Sequence, residues 1–119
     1  MQRQNALWRC KMESFVVRSV NGVLIRLTQE RWRHILVRHP ETEPYRDRVL
    51  DAVKDPDFVA KGLHGELKAA KLFIDLPMGP RYLVVVYREV GARDGFIITA
   101  RLGSGVSNLI KGGVVWRRK

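Results

Sequence analysis

The sequence predicts an α+β fold, two N-terminal helices packed on an antiparallel β-sheet meander, and three observations carry that prediction. Between Thr28 and Asp55 apolar residues recur at helical spacing. From Glu66 to Leu102 three runs rich in β-branched and aromatic residues are separated by turns containing Gly and Pro. Consecutive strands with short connections most economically pair antiparallel, and amphipathic helices need a sheet face against which to bury their apolar stripe. At 119 residues and 45% hydrophobic side chains, the chain fits a single domain, residues 1–119, with a modest core.

The opening MQRQNALWRCKM has no clear period, so residues 1–14 read as a basic arm or a short packing segment. In FVVRSVNGVLIRLT, two short β-branched runs flank Asn21-Gly22, a strong hairpin signal. Trp32, Ile35, Leu36 and His39 then follow i, i+3, i+4, i+7 spacing, with Thr28 as N-cap and Glu30 in the positive first turn. Pro40 disfavours helical geometry at His39 and should end that helix. A second helix is expected to open at Pro44 and run to Asp55-Pro56 with Val49, Leu50 and Val53 inward. ELKAAKLFID, RYLVVVYRE and GFIITARL follow as strands, and LIKGGVVWRRK either adds a short edge strand or drapes over the sheet. Strict alternation in the last clear strand would put Phe96, Ile98, Ala100 and Leu102 on one face, and Ile97, Thr99 and Arg101 on the other, away from the main core. Both faces of RYLVVVYRE are apolar in the middle, so the side of Arg88 is not fixed by pattern.

A net charge of +10 draws anionic partners, nucleic acid first among them. The charge is unevenly placed: residues 1–39 hold eight Lys/Arg against two acids, 40–65 hold four against six, and 106–119 hold four against none. These cations are interleaved with Trp, Ile, Leu and Val, which indicates a folded basic surface rather than a solvated tail. The lone Cys10 permits no internal disulfide and no multi-thiolate zinc site, which favours a reducing cytoplasm. No apolar run is long enough to span a bilayer, and no signal-type hydrophobic segment follows the basic N-terminus.

Chemistry concentrates in ERWRHILVRHPE. His39 lies at the end of a helix, where the dipole favours an imidazolium and the ring can reach the sheet rim, although a backbone carbonyl could satisfy it equally well. His34 lies about 140° away around an ideal helix, so the two rings do not form an i, i+4 metal pair, and His34 reads as an exposed bystander. His64 sits among glycines in an expected loop. Arg31, Arg33 and Arg38 form either a solvated helix face or a phosphate-contacting set. Asp47, Asp51 and Asp55 have the i, i+4 spacing of an exposed acidic stripe, which is commoner than a metal cluster. Pro56-Asp57 followed by Glu66-Leu67-Lys68 matches the loose pattern of PD-(D/E)xK metal-dependent nucleases, a short motif without its structural context. Arg33 and His39 also match the Arg-x₅-His spacing of HEPN ribonucleases, whose all-helical bundles disagree with the β-rich second half.

In order along the chain, IRLTQERWRHILVRHPE, DAVKDPDFV, RYLVVVYRE, DGFIITARL and IKGGVVW resemble the phage-type nuclease domains of the barnase–EndoU–colicin–RelE superfamily, over residues 23–116. That resemblance implies helices followed by an antiparallel sheet, and a metal-independent endoribonuclease toxin with no cofactor. Its helix-end histidine maps to His39, its strand cation to Lys71 or Arg88, and its last-strand hydroxyl to Thr99. Arg101 stands where relatives often have an aromatic residue. The implied partners are RNA, as tRNA or ribosome-bound mRNA, and an acidic antitoxin protein. Independently, RNA transesterification needs a base for the 2′-hydroxyl, a cation near the phosphorane charge and donors that orient the phosphate. His39, Lys71 or Arg88, and Thr99 with Arg101 could supply these. A catalytically silent RNA- or ribosome-binding module on the same fold is the alternative, as is the metal site at Asp57, Glu66 and Lys68.

Overall fold

The computed structural model describes residues 14–119. The arm expected over residues 1–14, and Cys10 with it, thus lies outside the described residues except for Ser14, which already opens a strand. The order is β1 (Ser14–Arg18), β2 (Leu24–Thr28), α1 (Gln29–Arg38), a 3₁₀ segment (Pro40–Tyr45), α2 (Arg46–Lys54), β3 (Phe58–Lys61), β4 (Leu67–Phe73), β5 (Arg81–Glu89), β6 (Gly95–Gly103), a second 3₁₀ turn (Leu109–Gly112) and β7 (Val114–Arg117). Among the described residues no helix is long and apolar enough to cross a membrane.

The fold is α+β, and its sheet is larger than the expected meander. Seven strands run in the order β1-β2-β6-β5-β4-β3-β7. The meander β4-β5-β6 is antiparallel as expected, but β2 joins β6 in parallel, at Ile25–Gly95 and Arg26–Phe96, which makes the sheet mixed. A β-carbon on Gly95 would collide with the Arg88 carbonyl of β5 and stand 2.7 Å from the Ile25 side chain of β2, so glycine lets β6 sit close between both neighbours. One strand was not read from the sequence, the four-residue β3, which pairs with β4. Of the two courses expected for the C-terminal segment, it takes the edge strand, as β7 on β3. The helices follow the β1-β2 hairpin, whose turn uses Gly22 at φ 79°.

Alternation along β5 sends Leu83, Val85 and Tyr87 into a core with Trp32 and Ile35 of α1 and Val49, Ala52 and Val53 of α2. Val84 faces the other side, where Phe58, Ala60, Ala70 and Leu109 form a smaller cluster. α2 begins at Arg46, two residues after the expected Pro44, because Pro40–Tyr45 winds as 3₁₀ first.

Arg48 of α2 ties this helix to the chain beyond β4. Its Nη1 and Nη2 each donate to a different oxygen of Asp75 at 2.7 Å, and its guanidinium lies 4.9 Å from the Phe73 ring centre. The Arg48 hydrogen bond holds the Asp75 carboxyl down at about 2, against an ordinary 3.8. A carboxyl depressed in the folded state stabilises the fold above its unfolded value and loses that contribution as pH falls, here between about pH 4 and pH 2. Both partners are substantially exposed, so the contribution is small. Arg48→Ala is expected to return the Asp75 midpoint, followed by carboxyl NMR, to near 3.8. A midpoint unmoved in the variant would assign the depression to another group.

Candidate functional site

Along α1, Trp32 and Ile35 point inward, and Arg31, His34 and Arg38 share an exposed stripe at i, i+3, i+7. The helix starts where the Thr28 hydroxyl accepts the Arg31 N–H at 3.0 Å. It stops at His39, whose φ of −136° and ψ of 66° leave the helical course while its N–H still reaches the Ile35 carbonyl at 2.7 Å. The His39 carbonyl in turn accepts from the Thr42 hydroxyl at 2.7 Å and the Thr42 N–H at 3.0 Å. Thr42 is fully buried. His39 is therefore gripped on both sides of its peptide plane by the helix and by the 3₁₀ segment that Pro40 opens.

The opposing wall comes from an irregularity in β6. The β5–β6 register shifts so that Val86 faces Thr99 and Tyr87 faces Ile97, leaving Ile98 as an extra residue. Ile97 and Ala100 consequently both point into the core, 1% and 0% exposed, which corrects the strict alternation expected from the sequence. On the β2 side, pairing is recorded only as far as Phe96, and α1 and the first 3₁₀ segment pack against β6. The result is a cavity of about 400 Å³ lined by Arg31, His34, Arg38, His39, Ile98 and Thr99.

Cationic and proton-carrying groups dominate that lining. The His39 side chain is 29% exposed, and its Nδ1 stands 3.5 Å from Glu41 Oε2, an ion pair whenever the ring is protonated. A carboxylate at Nδ1 favours the tautomer with hydrogen there and leaves Nε2 as the acceptor. Arg31 and Arg38 have no carboxylate partner among the described residues, so both guanidinium groups remain available to an anion. The arginines can bind a phosphodiester beside Thr99, and the imidazoles can take up or release a proton next to it.

The expected site residues divide accordingly. His39, Thr99, Arg31 and Arg38 meet at the cavity, and His34 joins them. The angular argument that set His34 apart assumed helical geometry at His39, which the helix end does not keep. Arg33 lines a shallower groove with Glu30, His34, Val37 and Arg38. Arg101 sits opposite Val84, on the sheet side away from the helices. Neither Lys71 nor Arg88 lines the cavity. Lys71 Nζ lies 2.7 Å from Asp51 Oδ2 and 3.3 Å from Asp55 Oδ2, 17% exposed. Its burial lowers the ammonium pKa, but the hydrogen bonds and charges of the two aspartates outweigh this and hold it above the ordinary value. Arg88 donates to the His64 carbonyl at 2.8 Å, beside the exposed His64 turn.

The candidate metal donors are also dispersed. Asp57 accepts the Leu72 N–H at 2.8 Å at one end of the β3–β4 hairpin, and Glu66 accepts the His64 N–H at 2.9 Å at the other. Five residues of strand separate the two ends, roughly 16 Å. Lys68 lies between them, opposite Ala60. Asp51 and Asp55 are engaged by Lys71, and Asp47 lies 4.0 Å from Arg46. Among the described residues no three His, Cys, Asp or Glu side chains converge as a metal group.

Sequence reasoning passed over Glu41 and Thr42, although HPET displays both directly after the helix stop. Thr42→Val keeps the shape and removes one of the two donors to the His39 carbonyl, leaving the Thr42 N–H in place. A loss of about 0.5–1.5 kcal/mol in urea denaturation is expected, with a shift of the His39 ring resonances. Unchanged stability and resonances would mean that the hydroxyl does not hold the helix end. Comparison of the chain with protein-family models, curated proteins and solved structures found no match.

Proposed function

We propose that the chain is a metal-independent endoribonuclease, a cytoplasmic toxin of a toxin–antitoxin or phage-conflict system, which cleaves RNA by 2′-hydroxyl transesterification. The observation that carries this function is the convergence of His39, Arg31, Arg38 and Thr99 on one cavity, from a helix end and a bulged strand. His39 Nε2 takes the 2′-hydroxyl proton, while Glu41 at Nδ1 orients the ring and stabilises the imidazolium that forms. Arg31 and Arg38 face the charge that develops on the phosphorane oxygens, the role expected of Lys71 or Arg88, and the Thr99 hydroxyl orients the phosphate. DNA lacks the internal nucleophile, so RNA is the substrate.

A barnase- or RelE-like arrangement belongs to the same proposal, supported by the shared core of α1, α2, β5 and β6. The net charge of +10 supports an RNA substrate, as tRNA or ribosome-bound mRNA, and an acidic antitoxin that covers the basic surface. The route through Asp57, Glu66 and Lys68 is disfavoured because the two carboxylates stand too far apart to share one ion. One observation favours a non-catalytic RNA- or ribosome-binding module instead: both expected strand cations, Lys71 and Arg88, are engaged elsewhere.

Purified protein is expected to cleave RNA equally with and without EDTA, and His39→Ala to lower the rate by about 10²–10⁴ without unfolding the chain. Lys71→Met should lower stability by on the order of 1 kcal/mol and spare cleavage. RNA bound but never cleaved, in bulk or on ribosomes, would leave the binding module. EDTA-sensitive cleavage would restore the metal route. RNA affinity should also fall with salt, by a log–log slope of about −0.7 for each phosphate neutralised on a single strand. A flat titration would remove Arg31 and Arg38 as phosphate contacts.

A further inference from the structure

Three hollows run along α1, and His34 lines all of them. It shares the His39–Thr99 cavity, the groove over Arg33 and Val37, and a recess of about 180 Å³ with Thr28, Glu30 and Arg31. No hydrogen bond or ion pair holds its ring among the described residues. Resting on the ribonuclease proposal, we infer that His34 is the general acid that protonates the departing 5′-oxygen, so that two imidazoles from one helix divide the two proton transfers.

Cleavage in line requires a proton acceptor at the 2′-oxygen and a proton donor at the 5′-oxygen, on opposite sides of phosphorus. Among the side chains lining the cavity, Arg31 and Arg38 retain their protons throughout. The Thr99 hydroxyl is too weak an acid to serve near neutrality. Only His34 and His39 remain as proton carriers, and Glu41 marks His39 as the acceptor. Five residues of helix separate the two positions by about 7.5 Å along the axis. Two hydrogen bonds plus two apical P–O bonds span roughly 6–9 Å, so the two rings can straddle one phosphorus. The groups that share hollows with His34 are Glu30, Arg31, Arg33 and Arg38 from its own helix, His39 at the end of that helix, and Ile98 and Thr99 of β6.

The proton balance closes within the site. His39 takes the 2′-hydroxyl proton, the 2′-oxygen bonds to phosphorus, the P–O5′ bond breaks, and its electron pair accepts the proton of the His34 imidazolium. The products are a 2′,3′-cyclic phosphate and a 5′-hydroxyl, and water returns the proton from His39 to His34.

Leaving-group chemistry tests the assignment. Wild type, His34→Ala and His39→Ala are compared on a dinucleotide and on uridine 3′-(4-nitrophenyl phosphate), whose phenolate departs without a proton, after thermal unfolding has shown that each variant is folded. His34 is exposed, so its replacement should leave the fold intact. His34→Ala is expected to lose about 10² or more on the dinucleotide and little on the aryl ester, and to lose the alkaline fall of the pH–rate profile. His39→Ala should fail on both substrates. Equal losses of His34→Ala on both would make His34 a phosphate-binding group and overturn the assignment, as would no loss on either. If wild type cleaves neither the dinucleotide nor longer RNA, free or on ribosomes, the ribonuclease proposal itself fails, a result distinct from an active enzyme indifferent to His34.

Discussion

Pro40 cannot continue a helix, and much of this structure follows from how that break is sealed. The helix before it ends with peptide groups that have lost their partners, and the chain satisfies the His39 carbonyl within three residues through Thr42, which serves it with both its hydroxyl and its N–H. Because Thr42 is fully buried, the seal is shielded from water and geometrically demanding. It fixes the direction in which the 3₁₀ segment leaves, and so where α2 can lie on the sheet. The same closure takes His39 off the helical course and turns it toward β6. One local stop therefore serves both the packing of two helices and the placement of the residue with the most chemistry.

The basic character of the cavity arises largely by subtraction. Asp94 engages Arg26, Asp75 engages Arg48, Asp51 and Asp55 hold Lys71, and Asp55 with Asp57 holds Arg118. These pairs join separate elements, so the cations in them are committed to architecture. Among the described residues, Arg31, Arg33 and Arg38 remain uncommitted around α1, with Glu30 and Glu41 as the nearby acids. A strand lysine at Lys71 looks like an obvious phosphate ligand in a linear reading. Its position facing Asp51 of α2 and Asp55 just beyond that helix makes it a brace.

Much of the fold was legible in the sequence because the signals were local. Asn21-Gly22 set the hairpin, Thr28 and Pro40 set the ends of α1, and Trp32 with Ile35 set its buried face. The illegible parts depend on distant segments. The parallel contact between β2 and β6 joins residues about seventy positions apart and has no signature in either strand. β3 is short and buried on both faces, so it shows no alternation. For the candidate site, His39 was readable from a helix end, whereas Thr99 came from the resemblance to a family of nucleases, because the bulge beside it breaks the strand pattern. His34 was set aside on an angular rule that holds inside a helix and lapses one residue beyond it. The Asp51 and Asp55 stripe carried the information that Lys71 was spoken for, but only the fold brings helix and strand together.

The extra residue in β6 gives that strand one position where its length can change. A substitution at Ile98 alters one wall of the cavity. Deleting Ile98 would restore simple pairing with β5, and Ala100, Arg101 and Leu102 would keep Val85, Val84 and Leu83 as partners and so keep their faces. The core would survive such a loss, whereas the wall that faces α1 would lose the residue that shapes it. The same deletion elsewhere in the strand, where no spare residue exists, would reverse every side chain beyond it, so a one-codon gap is tolerable to the fold at this single place and costs the cavity instead.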